Sequence, residues 1–334
     1  MLTRSPALTR ALSLPVIAAP MFLVSGTKVV IAAWIIGTFP ALNARTDEVL
    51  NSWLTEITNE LEAAKKLHLN HPRQLSPPAP YGVNLIVHKT NKRLEENLRT
   101  VVKHKVPLVI TSLGAVKEVV DEVHSYGGLV FHDITNEKHA RKAAAAGVDG
   151  LIAVCAGAGG HSGTMSPFAL IPKLRTFFPG VICLAGAIGD GRAIRAAQVL
   201  GADLAYMGTR FISTKESEAS EGYKRMLVDS KVGPPPTFLP TVYTDKISGV
   251  HANFLRDSIK AVGWDPDNLD HQGEEDFGKL DASAAHHKAW KDVWSGGQGT
   301  VNIHDTPTVE ELVNRLKTEY RGAVEEEAKL LPRL

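Results

Sequence analysis

The chain has 334 residues, 44% of them apolar, which is enough for one barrel-sized domain, a smaller insertion and a sizeable core. Its 37 Lys and Arg nearly cancel its 36 Asp and Glu, so the charge balance gives no support to nucleic acid or an anionic membrane as partner and leaves a small ligand as the default. Cys155 and Cys183 lie inside apolar runs rather than in a C-x-x-C pair, which speaks against a disulfide framework or a zinc site and for reduced, buried thiols in the cytoplasm.

The N-terminal stretch carries Arg4 and Arg10 and no acid, but no small-residue cleavage pattern follows a hydrophobic core, so a frayed terminus is expected. The apolar run Val29–Ile36 is too short to span a bilayer. From residue 15 to about 213, short apolar runs alternate with amphipathic or alanine-rich stretches, which predicts parallel strands joined by helices. In chain order the spacing predicts strands over 16–21 and 34–38, a helix over 47–69, a strand over 81–87, a helix over 91–104 and a strand over 108–112. A helix over 115–126, a strand over 128–133, a helix over 137–146, a strand over 150–156 and a helix over 167–178 follow. A strand over 181–185, a helix over 192–200 and a strand over 204–211 complete the series. Gly127, Gly147 and Gly201 sit where helices should stop.

Eight strands is the number that closes a TIM (β/α)8 barrel. The alternative, an open doubly wound sheet, gathers its site at one switch point. Here glycines and polar groups end several different strands, and the dinucleotide-like fragment Gly189–Ile194 lacks its third glycine. After Lys215 the alternation stops, and Gly233-Pro-Pro-Pro236 precedes a polar region with Trp264, Trp290 and Trp294. The expected division is therefore an α/β barrel from 1–215 plus 301–334 and a smaller, mostly helical lid over 216–300. A final helix is expected over 308–327.

The stretch Ala156-Gly-Ala-Gly-Gly-His-Ser-Gly163 sets one imidazole, His161, in a backbone nearly free of side chains. Ala158, Gly159 and Gly160 would let a flat ligand approach the main chain closely. Imidazole is the side chain best matched to proton transfer near neutral pH, although a lone histidine is more often satisfied structurally. Gly186, Gly189 and Gly191 follow the seventh strand, and Gly208 and Thr209 the eighth. In barrels, loops at these two places frequently bind phosphate through backbone N–H groups and a helix N-terminus; for either loop alone an ordinary turn would serve as explanation. Asn84 lies in the otherwise apolar Tyr81–Leu85, where its amide must find a partner: a flavin ring, or a loop to cap. Ala19, Pro20 and Met21, with Gly37 and Thr38, could offer backbone groups to the same ring. His132 and Asp133 read either as an acid/base pair or as barrel packing. His68, His71, His286 and His287 read as surface residues, and Phe39 and Tyr81 as pocket walls.

On these segments the chain resembles the nitronate monooxygenase family. The resemblance rests on Ala19-Pro-Met21, Tyr81–Leu85, Ala158-Gly-Gly-His-Ser-Gly163, Leu184–Ile188, Met207-Gly-Thr-Arg-Phe211 and Trp294-Ser-Gly-Gly-Gln-Gly299. It implies FMN at the mouth of the barrel beneath a helical second domain, and no metal. His161 would be the catalytic base, Asn84 a contact to the flavin ring, and Gly186, Gly208 and Thr209 contacts to its phosphate. Gln298 would lie near the cofactor, and Ala19, Pro20, Met21, Asp133, Ala158, Gly159 and Gly160 complete the expected contacts. Family members often carry Lys where this chain has Asp133, and a carboxylate there would oppose an anionic reduced ring. The implied activity is oxidative denitrification of alkyl nitronates, with nitronate or nitroalkane and O2 as partners and a homodimer as an open option. The alternatives are an NAD(P)H-dependent FMN reductase of quinones or enoyl thioesters, and a flavin-free barrel for a phosphorylated metabolite.

Overall fold

The computed structural model describes residues 12–33, 35–71, 77–114, 117–229, 239–269 and 289–330. Six strands open the chain: β1 (Val16–Ala18), β2 (Ile36–Pro40), β3 (Gly82–Ile86), β4 (Leu108–Ser112), β5 (Leu129–Ile134) and β6 (Gly150–Val154). The two-residue β7 (Gly160–His161) leaves their sheet; β8 (Val181–Ala185) and β9 (Leu204–Met207) return to it. The closed order is β1-β2-β3-β4-β5-β6-β8-β9, with β9 pairing back to β1 in parallel.

The strands are buried on both faces, as their continuous apolar runs require. Inward residues such as Ile17, Ile110, Phe131, Ile152, Cys183 and Leu204 form one cluster, so the interior is packed rather than a pore. Gly150 is part of that fit: a Cβ there would stand 2.5 Å from the Phe131 ring. The outward residues pack against the helix layer in larger clusters. Thr46, Asn136 and Asp190 cap helices Asp47–Asn70, Glu137–Ala145 and Gly191–Val199 through their side-chain oxygens. Gly127, Gly147 and Gly201 take the left-handed backbone at the expected helix ends. Cys155 and Cys183 are free and buried, and burial pushes the Cys155 thiol up to about 12. No helix among the described residues is long and apolar enough to cross a membrane.

Two strand ends differ from the sequence reading. β1 stops at Ala18 because Ser25 turns the chain back, its hydroxyl accepting from Met21 N–H and its own N–H donating to the Met21 carbonyl. β9 stops at Met207, and Thr209–Ile212 forms a helical turn in which Phe211 N–H donates to the Gly208 carbonyl.

Within 216–300 a mostly helical insertion was expected. The described residues instead combine helices Glu221–Asp229 and Arg256–Ala261 with β10 (Thr241–Thr244) and β11 (Ala252–Leu255). These strands form an antiparallel sheet of order β10-β11-β7, so its third strand comes from the barrel. Gly233–Pro236, His286, His287 and the first eleven residues lie outside the described residues.

Candidate active site at the barrel mouth

The strand ends of the barrel open into a cavity of about 1780 Å³. Ala19, Pro20, Met21, Asn84, Asp133, Ala158, Gly159, Gly160, His161, Gly186, Gly208 and Thr209 all line it. Gln298 stands behind this wall: its N–H donates to the Gly157 carbonyl at 2.9 Å, and its side chain packs on Gly157. Phe39 and Tyr81 are buried instead in the barrel and helix packing, Phe39 edge-on to Trp53 at 5.5 Å. Among the described non-glycine residues six take a positive φ, and five of these (Leu23, Arg45, Leu113, Ala187, Trp290) line the cavity. Such backbone costs about 1–3 kcal/mol per residue and persists where surrounding structure holds it, most often at functional sites.

His161 is placed by the insertion as much as by the barrel. β7 pairs with β11 in the register Gly160 to Asn253 and His161 to Ala252. The buried Asn253 amide donates to the Ala158 carbonyl at 2.7 Å and to the Ser162 hydroxyl at 3.2 Å, gripping the loop on both sides of the histidine. Tyr243 OH donates to the Ser162 carbonyl at 3.0 Å. The His161 ring stands edge-on to Trp290 at 5.2 Å, and Trp290 rests on the fully buried Phe254. Burial in these surroundings lowers the His161 pKa to about 4, so the imidazole is neutral at pH 7.

The glycines around His161 have a reason the sequence did not reveal. A Cβ on Gly159 would lie 2.7 Å from Gly297 N, and one on Gly297 would lie 2.6 Å from the Gly157 carbonyl oxygen. Two stretches of main chain, 157–160 and 295–299, therefore stack directly on one another, joined by the Gln298 N–H bond to the Gly157 carbonyl, while Gly297 N–H donates to the Thr209 hydroxyl at 3.0 Å. Gly160, with φ +68, meets nothing nearer than Trp290 at 3.9 Å and keeps its face toward the cavity. Gly191 does not belong to a phosphate loop: its N–H donates to Glu319 at 2.8 Å, and a Cβ there would meet the C-terminal helix Val309–Leu330. Gly208 is open, since a Cβ there would find nothing closer than 3.7 Å.

Asp133 projects from β5 into the barrel. Its Oδ2 accepts from the Ser112 hydroxyl at 2.5 Å, and Ser112 in turn accepts from the Asn84 amide at 2.8 Å. Asn84 donates to the Ile110 carbonyl as well, so its N–H groups are satisfied without a ligand. Asp133 Oδ1 is buried with no hydrogen-bond partner among the described residues. Burial outweighs the Ser112 bond and raises the Asp133 carboxyl to about 6. His132 does not pair with it: adjacent strand residues face opposite ways, and His132 Nδ1 bonds the Thr111 hydroxyl at 2.7 Å. Sequence reasoning missed Ser112, Asn253, Tyr243 and Trp290. Of these, Asn253 carried the signal used for Asn84, an amide inside an apolar run.

A closed parallel barrel whose strand ends bring the His161 imidazole and the buried Asp133 carboxyl to one cavity has the architecture of a (β/α)8 enzyme. The chain belongs to the nitronate monooxygenase family, whose sequence model matches residues 56–319. Among curated relatives, a nitronate monooxygenase of Paraburkholderia phytofirmans is 31% identical over 63% of this chain and 59% of its own length. A (3aS,4S,5R,7aS)-5-hydroxy-7a-methyl-1-oxo-octahydro-1H-indene-4-carboxyl-CoA dehydrogenase of Mycobacterium tuberculosis is 27% identical over 54% of this chain and 49% of its own. The chain thus spans about half to two thirds of the curated relatives it matches. Among solved structures, nitroalkane oxidase from Streptomyces ansochromogenes superposes with a TM-score of 0.73 at 23% identity, covering 96% of this chain and 99% of that one. FabK from Thermotoga maritima gives a TM-score of 0.73 at 20% identity over 97% of each chain. At these identities the structural likeness establishes the barrel fold.

Proposed function

We propose that the chain is an FMN-dependent oxidoreductase that oxidises alkyl nitronates to carbonyl compounds and nitrite with O2. The observation that carries this reading is the convergence of His161, the open backbone at Gly160 and Gly208, and the partnerless Asp133 oxygen on one cavity in a chain of this family. These features fit a flavin mononucleotide. Main-chain N–H groups at Gly186, Gly208 and Thr209 would hold its phosphate, and an unsatisfied buried acceptor suits a ring that bears an N–H. When bound, the flavin supplies the redox chemistry.

The chain's own residues do the rest. His161, uncharged at neutral pH, takes the α-proton of a neutral nitroalkane or receives a nitronate beside it. An adjacent nitronate anion favours the protonated imidazole and so opposes the effect of burial. Trp290 and Asn253 fix the ring and its loop, and the insertion limits water on that side. The two buried thiols suit a reducing compartment such as the cytoplasm.

The absorption spectrum of the purified full chain tests this first. Yellow protein with stoichiometric FMN is expected, and colourless protein that fails to take up added FMN would sink the reading in favour of a flavin-free barrel. Anaerobic mixing with NADH or NADPH separates the runner-up: flavin that stays oxidised supports the nitronate reaction, and rapid bleaching supports a quinone or enoyl-thioester reductase.

A further inference from the structure

The geometry points to a second anion site in the same cavity, on the rim formed by the loops after β2, β3 and β5, that takes the phosphate groups of a cosubstrate larger than a nitroalkane. This inference rests on the flavin reading above, because it assigns the space that a mononucleotide leaves over. At about 1780 Å³ the cavity exceeds the roughly 300–1,000 Å³ of a site for one drug-sized ligand.

The charges of the wall are one-sided. Arg45, Lys92, Arg93 and Lys142 line this rim with His139, Arg210 and Lys291 line other parts of the wall, and Asp133 is the one carboxylate among the described wall residues. No ion pair within the described residues neutralises any of the four rim Arg and Lys cations. The side expected to hold the flavin phosphate is different: its wall cation Arg210 is buried and committed to Asp305 at 2.7 Å and to the Ser213 carbonyl. A single nitronate charge beside His161 gives no reason for four unpaired cations along another edge of the mouth.

The rim is also built in advance. Asn91 Nδ2 donates to the Ile86 carbonyl at 2.8 Å, and Asn91 Oδ1 accepts from Arg93 N–H at 3.1 Å, which locks the loop after β3. His139 and Lys142 lie three residues apart on one face of the helix capped by Asn136. The pKa of His132 beneath them is lowered chiefly by burial, and these two neighbours lower it further. Arg45 is held in the left-handed region at φ 57, a conformation a non-glycine residue adopts only under constraint. Phosphate oxygens are the ligand that several fixed donors of one sign recognise, and converging cations also raise the local concentration of anions. Two common carriers share this chemistry, a coenzyme A thioester and a phosphorylated nicotinamide dinucleotide.

The test is calorimetric titration of the FMN-loaded full chain with coenzyme A and, separately, with NADPH, at low and at high salt. The expected result is saturable binding of at least one, weakened by salt. It should weaken at least tenfold in Arg93→Ala/Lys142→Ala and recover in Arg93→Lys/Lys142→Arg, with bound flavin kept in both. Coenzyme A alone would mark the thioester as the source, and NADPH alone the dinucleotide. Absence of binding by both, equal affinity in the double variant, or loss of flavin from it would overturn the site. Flavin loss would show that these cations serve the cofactor. Failure of the unaltered chain to take up FMN would count against the flavin reading itself, and is seen before any titration.

Discussion

The two sides of the cavity mouth are made of different material. Along β6, β8 and β9 the wall is main chain: 157–160 lies on 295–299, with glycines at 159 and 297 where any side chain would collide. Along β3 to β5 the wall is side chains, namely Asn84, Ser112 and Asp133 in a hydrogen-bonded row, with cations above them. The contrast teaches that steric demand governs one side and charge governs the other. A substitution on the first should therefore act through shape at every pH, and one on the second through protonation and solvation.

The largest expected effect falls on His161, the base proposed on the main-chain side. His161→Asn should slow turnover of a neutral nitroalkane by about 10²–10⁴-fold while flavin occupancy holds, read by steady-state rate and absorbance on one preparation. Parallel loss of rate and flavin would defeat its assignment as base.

Asp133→Asn probes the other side through pH. The Asp133 carboxyl is raised from an ordinary 3.8 to about 6, so the stability it contributes is whole below pH 4 and declines as pH climbs through 6. Asn carries no charge to bury. The variant should gain on the order of 2–3 kcal/mol over the parent at pH 7 and nothing at pH 4 in urea unfolding. A gain independent of pH would show that the carboxyl does not titrate as described.

Gly159→Ala is the smallest of the three and separates shape from charge. Its new methyl would stand 2.7 Å from Gly297 N, so a loss of about 1–3 kcal/mol is expected, the same at pH 5 and pH 8 by thermal melting. An unchanged melting temperature would mean that the two main-chain stretches do not touch.

How much of this could be read from the chain depends on how local its cause is. The eight barrel strands and their helices announce themselves by apolar runs and periodicity, and helix ends by Gly127, Gly147 and Gly201. Strand ends were harder, because a turn such as Met21–Ser25 is decided by one hydroxyl. The antiparallel sheet was out of reach. β7 has two residues, too few to show any period, and its partner Asn253 lies ninety-odd positions away. The glycines at 157–160 do line the cavity, but the demand for glycine at 159 arises from a contact with 296–297 that only the fold creates. Asn84 and Asp133 reached the cavity as expected, but Ser112, which joins them, gave no sign of itself in the sequence.

Because His161 is itself a rung of the sheet that β10 and β11 build, the insertion cannot swing aside like a hinged door while the imidazole stays behind. Unzipping those rungs would withdraw the proton acceptor together with its cover. Amide protons of residues 160–162 and 251–253 should then exchange with solvent as one cooperative unit.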